Sequence, residues 1–312
     1  NRNIFRLALL IPVLALGVLV ARKLHHRGGL DRNLAAQPMN DLTVAKDIRF
    51  GPGERQTLDV YAPAHIQGAR PVMVFLYGGA WISGDKAQYA WLGAGLARQG
   101  YVAVIPNYGI YPPTKWPTFV RDNAKALAWV RSNITPFGGD RSDLILVGHS
   151  SGAFNAISLA VEPQWLAEVG MNAGRDLKAV IGLSGVYNML PLTGPNENAI
   201  FAPPTGYTEM KNHIAVGTPP ILFIAGGRDR VAEADDSKVT MAKVREKGGL
   251  AELIVYPAME HNDSQAAFGS APDAPAFPIR RDVAQFLSQQ GVVIPTPLPA
   301  RDASSTRPAA KE

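Results

Sequence analysis

A serine held between glycines is the residue in this chain best suited to act as a nucleophile. The segment is Gly148-His149-Ser150-Ser151-Gly152, between a predicted strand at 144–147 and a predicted helix at 151–160. In this setting the spacing is typical of a sharp turn that needs glycines at both ends. Ser150 would then project from the tip of the turn, at a helix N-terminus that favours negative charge. The alternative is a chance match in a glycine-rich turn, and Ser151 is expected to contribute only its backbone N–H.

A second glycine-rich stretch, Tyr77-Gly78-Gly79-Ala80-Trp81, comes directly after a strand predicted at 71–77. Small residues at this point allow backbone N–H groups to approach a substrate carbonyl closely. Such groups stabilise the oxyanion that forms in a tetrahedral intermediate. Gly78, Gly79 and Ala80 are therefore candidates for an oxyanion hole, and a glycine turn without any ligand is the alternative.

A nucleophilic serine needs a base, and the chain offers six histidines. His261 follows the last predicted strand, at 252–256, where the chain order serine, acid, histidine places the base. The acid is expected after the preceding strand, at 221–225, and Asp229 lies in the turn there. The rival acids are Asp235, Asp236 and Asp263, of which the first two are typical of helix caps. A surface or packed histidine is the ordinary alternative for His261, and His149 is expected to point away from the triad.

The elements that must position these residues follow a simple order along the chain. An antiparallel hairpin is predicted at 44–50 and 56–62, and strands and helices alternate after it. This order indicates an α/β fold, with a mostly parallel sheet of about eight strands and helices on both faces. Regular periodicity is lost at 187–219, so this insertion is predicted to form a cap or pocket wall above the carboxyl ends of the strands. The aromatic residues Trp81, Tyr108, Tyr111 and Tyr187 could line an apolar pocket there or belong to the core.

Composition excludes several kinds of site. The chain has 312 residues and no cysteine, which excludes disulfides, cysteine-ligated metals and thiol nucleophiles. Residues 1–35 contain six basic residues and one acidic residue, so they account for the whole formal net charge of +5. The rest of the chain is neutral, which argues against nucleic acid as a partner.

The basic residues near the start of the chain flank an apolar run at 4–21. Its length fits an uncleaved membrane anchor, a cleaved signal segment or a helix packed on the protein. The expected organisation is therefore an anchor or signal at 1–21, a linker at 22–43, a hydrolase domain at 44–290 and a disordered Pro- and Ala-rich tail at 291–312. A membrane-anchored or exported location is expected rather than a cytoplasmic one.

The ordered set of motifs resembles the α/β-hydrolase superfamily, in particular carboxylesterases related to hormone-sensitive lipase and kynurenine formamidase. The resemblance covers roughly residues 44–290. It is carried by the stretches DIRFGPGERQTLDVYAP, VMVFLYGGAWISGDK, VAVIPNYGIYP, DLILVGHSSGA and ILFIAGGRDRVAEA, followed by His261. It implies Ser150 as nucleophile, Asp229 as acid and His261 as base. It also implies an oxyanion hole made by the N–H groups of Gly79, Ala80 and Ser151.

Three positions depart from the pattern of those esterases. Tyr77 stands where they usually have a histidine that braces the loop, Ala80 replaces a frequent third glycine, and Gly109 stands where they often have arginine. The implied chemistry is hydrolysis of a small-molecule ester of a short-chain acid through an acyl-enzyme, with no metal or organic cofactor. Hydrolysis of an aryl formamide is the second expectation. A catalytically silent hydrolase fold used as a binding module is the third.

Overall fold

Short continuous runs of apolar residues form the central strands of the sheet, because helices cover these strands on both faces. The computed structural model of the chain describes residues 39–270 and 277–298. Its eight strands lie in the spatial order β1-β2-β4-β3-β5-β6-β7-β8. The strands are β1 (Leu42–Arg49), β2 (Thr57–Pro63), β3 (Arg70–Leu76), β4 (Val102–Pro106), β5 (Gly139–His149), β6 (Ala179–Leu183), β7 (Ile221–Gly226) and β8 (Ala251–Tyr256).

The sheet is antiparallel at one end and parallel elsewhere. Strand β2 pairs with β1 on one side and with β4 on the other, and both pairs are antiparallel. From β4 onward, each strand is parallel to its neighbour in the order β4, β3, β5, β6, β7, β8. The predicted hairpin is therefore present, and the predicted α/β architecture with about eight strands is confirmed. Because the six parallel strands all end at one edge, the loops that follow them meet there.

Helices connect the strands and form the outer layers. In the described residues they are α1 (Ala90–Arg98), α2 (Thr118–Asn133), α3 (Ser151–Val161), α4 (Pro163–Ala167), α5 (Ala173–Asp176), α6 (Pro195–Phe201), α7 (Ala234–Glu246), α8 (Asp263–Gly269) and α9 (Ile279–Gln289). Helix α1 contacts α8, which contacts α9, while α2, α3 and α4 contact one another. All eleven residues of α3 are buried, because this helix packs on β3, β5 and β6 and beneath α2.

The boundaries of the domain differ from the predicted ones at both ends. Strand β1 begins at Leu42, inside the segment predicted as a linker. Residues 291–298, predicted to belong to a disordered tail, lie against the domain: Val292 is buried and the Leu298 N–H donates to the Arg98 carbonyl at 2.7 Å. An apolar side chain and a backbone partner hold this stretch in place, which its Pro-rich composition did not reveal.

The predicted apolar segment at 1–21, the linker up to residue 38 and the tail from residue 299 lie outside the described residues. Among residues 39–270 and 277–298, no helix has the length and apolar character that crossing a membrane requires.

Candidate active site

The residues singled out in the sequence follow four different strands and meet at the carboxyl edge of the sheet. The glycine-rich loop follows β3, Ser150 follows β5, Asp229 follows β7 and His261 follows β8. Strands β3 and β5 are neighbours, and β7 and β8 lie beyond β6. The parallel pairing alone therefore brings these loops together, although they are up to about 180 residues apart in the chain.

The turn around Ser150 is as sharp as its glycines predicted. Ser150 has φ 55° and ψ −122°, a left-handed conformation that is strained for a residue with a side chain. Its N–H donates to the Leu183 carbonyl at 3.0 Å, which holds the turn against β6. A Cβ at Gly148 would lie 2.2 Å from the Gly152 carbonyl oxygen, and one at Gly152 would lie 2.1 Å from the Leu76 carbonyl oxygen. Side chains at either position are therefore excluded by the backbone.

Ser150, His261 and Asp229 form a continuous hydrogen-bonded line. The Ser150 Oγ lies 2.9 Å from His261 Nε2, and His261 Nδ1 lies 2.8 Å from Asp229 Oδ2. Since a carboxylate can only accept, Nδ1 carries the proton and Nε2 is left free to accept the serine proton. The arrangement has the geometry of a nucleophile, a base and an orienting acid.

The Asp229 side chain is fully buried, yet its carboxylate is well supplied with donors. Its second oxygen, Oδ1, accepts the N–H groups of Val231 at 2.8 Å and Ala232 at 2.9 Å. Burial by itself would raise the pKa of Asp229. The hydrogen bond to His261, the charge of His261 and the two N–H groups outweigh burial, so the pKa lies below its ordinary value. Asp229 is therefore ionised at neutral pH, as an acid that orients a histidine must be.

The rival acids have other roles in the structure. Asp235 and Asp236 lie in the first turn of α7, but the predicted capping role is wrong, because the N-cap residue of this helix is Glu233. Asp236 accepts the Tyr187 N–H and Asp263 accepts the Glu260 N–H, so neither points at His261.

The loop after β3 has the backbone that a cluster of N–H donors requires. Gly79, Ala80 and Trp81 all have positive φ, at 139°, 50° and 57°. Within the part of the chain that the structure describes, no hydrogen-bond acceptor is paired with the N–H groups of Gly79, Ala80 or Ser151. Gly78 has a steric role, because a Cβ there would lie 2.9 Å from the Ser150 Cβ. The loop can therefore lie directly against Ser150.

A network of polar side chains braces this loop from behind. The Tyr77 hydroxyl donates to Asn107 Oδ1 at 2.6 Å and accepts from the Arg55 guanidinium at 2.9 Å. Arg55 also donates to the carbonyls of Gly84 and Tyr108, both at 2.8 Å. The tyrosine thus provides the bracing expected of the histidine that it replaces. Arg55, in the turn before β2, holds both ends of the loop, and nothing in the sequence pattern pointed to it.

Gly109 does not leave an open space where related esterases have arginine. A Cβ at this position would lie 2.5 Å from Thr114 Oγ1. The nearby buried Asp122 accepts the Gly109 N–H at 3.0 Å and the Gln56 amide at 2.7 Å. The carboxylate is therefore satisfied by these two donors, and the Lys125 ammonium lies 4.0 Å from its Oδ1.

Trp81 anchors a cluster of aromatic side chains beside Ser150. Its ring lies 5.3 Å from Phe154, which is one helical turn after Ser150, and 4.8 Å from Phe201 of the insertion. Its Nε1 donates to the buried Asn155 Oδ1 at 3.0 Å. The further members of the cluster are Trp116, Phe119, Trp165 and Tyr207. The insertion at 187–219, with α6 and the turn Met210–Asn212, packs onto this cluster through Phe201 and Tyr207. Its role as a pocket wall stays a prediction.

Two residues predicted to line a pocket belong to the core instead. Tyr108 and Tyr187 have no exposed surface. Tyr108 donates from its hydroxyl to the Tyr77 carbonyl at 2.7 Å, so it supports the glycine-rich loop from below. Tyr187 packs against Phe223 of β7. Large aromatic rings near the ends of strands fill the core as readily as a pocket, and only packing distinguishes the two.

The family to which the chain belongs follows from comparison of its sequence with known ones. The sequence pattern of the BD-FAE family matches residues 58–244, which run from β2 through α7 and include the glycine-rich loop, Ser150 and Asp229. The chain belongs to the BD-FAE family.

Named relatives of this BD-FAE chain are esterases. It is 30% identical over 242 residues to an isoprenylcysteine alpha-carbonyl methylesterase of Arabidopsis thaliana, covering 70% of this chain and 57% of the relative. It is 29% identical over 219 residues to esterase LipC of Mycobacterium tuberculosis, covering 64% of this chain and 54% of the relative. The chain therefore spans little more than half the length of these relatives.

Solved structures share the fold of this BD-FAE chain. Esterase B of Lactobacillus Rhamnosis (HN001) superimposes with a TM-score of 0.72 at 17% identity, over 91% of this chain and 95% of that one. An esterase of Pseudomonas putida ECU1011 gives a TM-score of 0.65 at 20% identity, over 86% and 89% of the two chains. The fold is thus that of esterases of the α/β-hydrolase superfamily.

Proposed function

We propose that this BD-FAE chain is a serine carboxylesterase in which Ser150 is the nucleophile, His261 the base and Asp229 the orienting acid. The observation that carries the proposal is the hydrogen-bonded line from Ser150 Oγ through His261 to Asp229, with distances of 2.9 and 2.8 Å. The names of the relatives, all esterases, support an ester as the substrate class.

The geometry supports acyl transfer in two halves. Ser150 Oγ attacks the ester carbonyl while His261 Nε2 takes its proton, and the same imidazolium then protonates the departing alcohol. Water attacks the resulting acyl-enzyme in the second half, with His261 again taking and returning the proton. Asp229 stabilises the imidazolium in both halves, because its carboxylate is ionised and fixed by two backbone N–H groups.

Negative charge on the carbonyl oxygen would be held by the N–H groups of Gly79, Ala80 and Ser151. These groups have no acceptor among the described residues, and Gly78 brings the loop against Ser150. Donors that are already oriented stabilise a developing oxyanion without reorganisation. The charge at the N-terminus of α3 adds to this effect.

We further propose that the acyl group is short. Trp81, Phe154 and Phe201 are at most 3% exposed, and their rings touch one another next to the nucleophile and the glycine-rich loop. A packed aromatic wall at this place leaves little room for a long chain. No contact among residues 39–270 and 277–298 favours an aryl formamide over an ester.

The test is hydrolysis of p-nitrophenyl acetate, butyrate and octanoate by the full chain, by Ser150→Ala and by Ser288→Ala. Ser288 lies exposed on α9, so its substitution is a matched control for loss of a serine hydroxyl. We expect Ser150→Ala to lose activity and labelling by a fluorophosphonate probe, Ser288→Ala to keep both, and acetate to be preferred over octanoate.

Full activity in a folded Ser150→Ala protein would overturn the proposal. An N-formyl anilide hydrolysed faster than any ester would move the assignment to amide substrates. A parent protein with neither turnover nor probe labelling would mean a silent binding module.

A further inference from the structure

His149 is a buried side chain that the mechanism above does not use. It is the last residue of β5, immediately before the nucleophile, and is 2% exposed. Its Nε2 lies 3.0 Å from the backbone carbonyl oxygen of His261. The centroids of the two imidazole rings are 5.0 Å apart. As predicted, the His149 side chain is not part of the line from Ser150 through His261 to Asp229. It does, however, contact the backbone of His261.

The contact defines the state of the His149 ring. A carbonyl oxygen only accepts, so Nε2 carries the hydrogen and donates it to His261. The other nitrogen, Nδ1, is buried and has no hydrogen-bond partner among the described residues. Burial, and secondarily the nearby His261, lower the pKa of His149 to about 3. The ring is therefore neutral when His261 becomes positively charged during turnover.

The opposite edge of the ring faces the glycine-rich loop. A Cβ at Gly78 would lie 3.0 Å from His149 Nδ1 and 2.9 Å from the Ser150 Cβ. One imidazole ring thus fills the space between the start of the loop after β3 and the loop that carries His261. A shift of this ring would move the base relative to the oxyanion donors.

Few other contacts hold the backbone at His261. Its carbonyl also accepts from Ser264 Oγ, but at 3.3 Å, and that hydroxyl is shared with Ser184 Oγ at 3.0 Å. The preceding Glu260 N–H is held by Asp263 at 2.8 Å. The hydrogen bond from His149 is the shortest one that the structure gives to the His261 carbonyl.

We propose that His149 is a positioning residue of this site, whose Nε2–H fixes the backbone of the base and whose ring sets the distance between the base and the glycine-rich loop. The proposal rests on the proposed function, since it assigns His261 the role of base. The glycine spacing of the turn does not require a histidine between Gly148 and Ser150. The proposal explains this histidine by its contact with His261.

The experiment compares three substitutions of the same residue in the full chain. In His149→Gln the amide nitrogen reaches the place of Nε2 and can still donate to His261. In His149→Asn it reaches only the place of Nδ1, and His149→Phe keeps the ring but has no donor. A misplacement of about 1 Å can cost about 100-fold in rate, so we expect the Asn and Phe variants to lose about 10- to 100-fold in kcat with p-nitrophenyl acetate. KM should change by less than about threefold, and the Gln variant should stay within about threefold of the parent in kcat.

Urea unfolding of each variant separates positioning from loss of stability. Val244→Ala, which removes a buried side chain from α7, is the control for destabilisation without loss of the donor. Three results would overturn the proposal. The first is an equal kcat in the Gln and Asn variants, and the second is an effect on KM with kcat unchanged. The third is a fall in kcat that parallels the fall in unfolding free energy across the three His149 variants and Val244→Ala. Comparison of Gln with Asn still decides the matter if the Phe variant does not fold. Failure of the proposed function would appear differently, as an active Ser150→Ala protein.

Discussion

The buried, neutral state of His149 predicts a specific loss of stability at mildly acid pH. The perturbation is a change from pH 7.5 to pH 5. In the unfolded chain a histidine has a pKa of about 6.5 and is protonated at pH 5. In the folded protein the pKa of His149 is about 3, because the ring is buried and faces His261, so it stays neutral. The unfolded state therefore binds more protons, and the free energy of unfolding falls as the pH falls through 6.5 towards 3.

The size of the effect follows from the two pKa values. At pH 7.5 the proton is bound in neither state and His149 contributes almost nothing to pH dependence. At pH 5 the unfolded histidine is protonated in about 97% of molecules, which favours unfolding by about 2 kcal/mol. The titratable groups that face the ring are His261, which lowers the pKa of His149, and Asp229, which raises it.

The assay is urea unfolding of the parent and of His149→Gln at both pH values. Glutamine does not titrate, so the parent should lose about 2 kcal/mol more than the variant between pH 7.5 and pH 5. Val244→Ala removes no titrating group and should therefore keep the pH dependence of the parent while being less stable. A difference between the parent and His149→Gln below about 0.5 kcal/mol would refute the reasoning, because His149 would then accept a proton inside the folded protein.

Three further predictions concern the site and its supports. Asp229→Asn should lower kcat with p-nitrophenyl acetate by about 1000- to 10,000-fold while the protein stays folded, because an amide no longer stabilises the His261 imidazolium. A loss of kcat below about tenfold would show that Asp229 is not the orienting acid. Arg55→Met should lower kcat about tenfold with little change in KM, because the loop after β3 loses its hydrogen bonds at Tyr77 and Gly84 and its link to the Tyr108 carbonyl. Arg55→Lys is the matched control that keeps the charge, and an unchanged kcat would contradict the bracing role. Phe201→Ala should lower the free energy of unfolding by about 3–5 kcal/mol, because it removes a buried aromatic ring. The space left by the ring should raise the octanoate-to-acetate ratio of kcat/KM about tenfold. An unchanged ratio would mean that the acyl group does not bind beside Phe201.

Much of the fold and of the site could be predicted because the relevant signals are local. Continuous apolar runs mark strands that are covered on both faces, such as the strand predicted at 221–225 and observed at Ile221–Gly226. Glycines at 148 and 152 report a turn in which any side chain would strike the backbone. Asp229 and His261 could be selected from several acids and histidines because each follows the end of a parallel strand.

Other features depend on contacts between distant segments, and no periodicity records them. Arg55 reaches Tyr77, Gly84 and Tyr108 across the domain, and the sequence shows only an arginine in a turn. Tyr108 and Tyr187 were candidates for a pocket because aromatic rings suit both a pocket and a core. Residues 291–298 were expected to be disordered, yet Val292 is buried by packing.

The sequence by itself determined which residues are candidates for the chemistry, Ser150, Asp229 and His261, and that each follows a parallel strand. Only the tertiary structure decided how these groups are held. The distances of 2.9 and 2.8 Å along the triad, the hydrogen bond from His149 to the His261 carbonyl and the packing of Phe201 on Trp81 all join segments that are far apart in the chain. Local patterns encode turns and strands, because these depend on neighbouring residues. The position of one loop relative to another depends on the packing of the whole sheet, and it appears only once the sheet is formed.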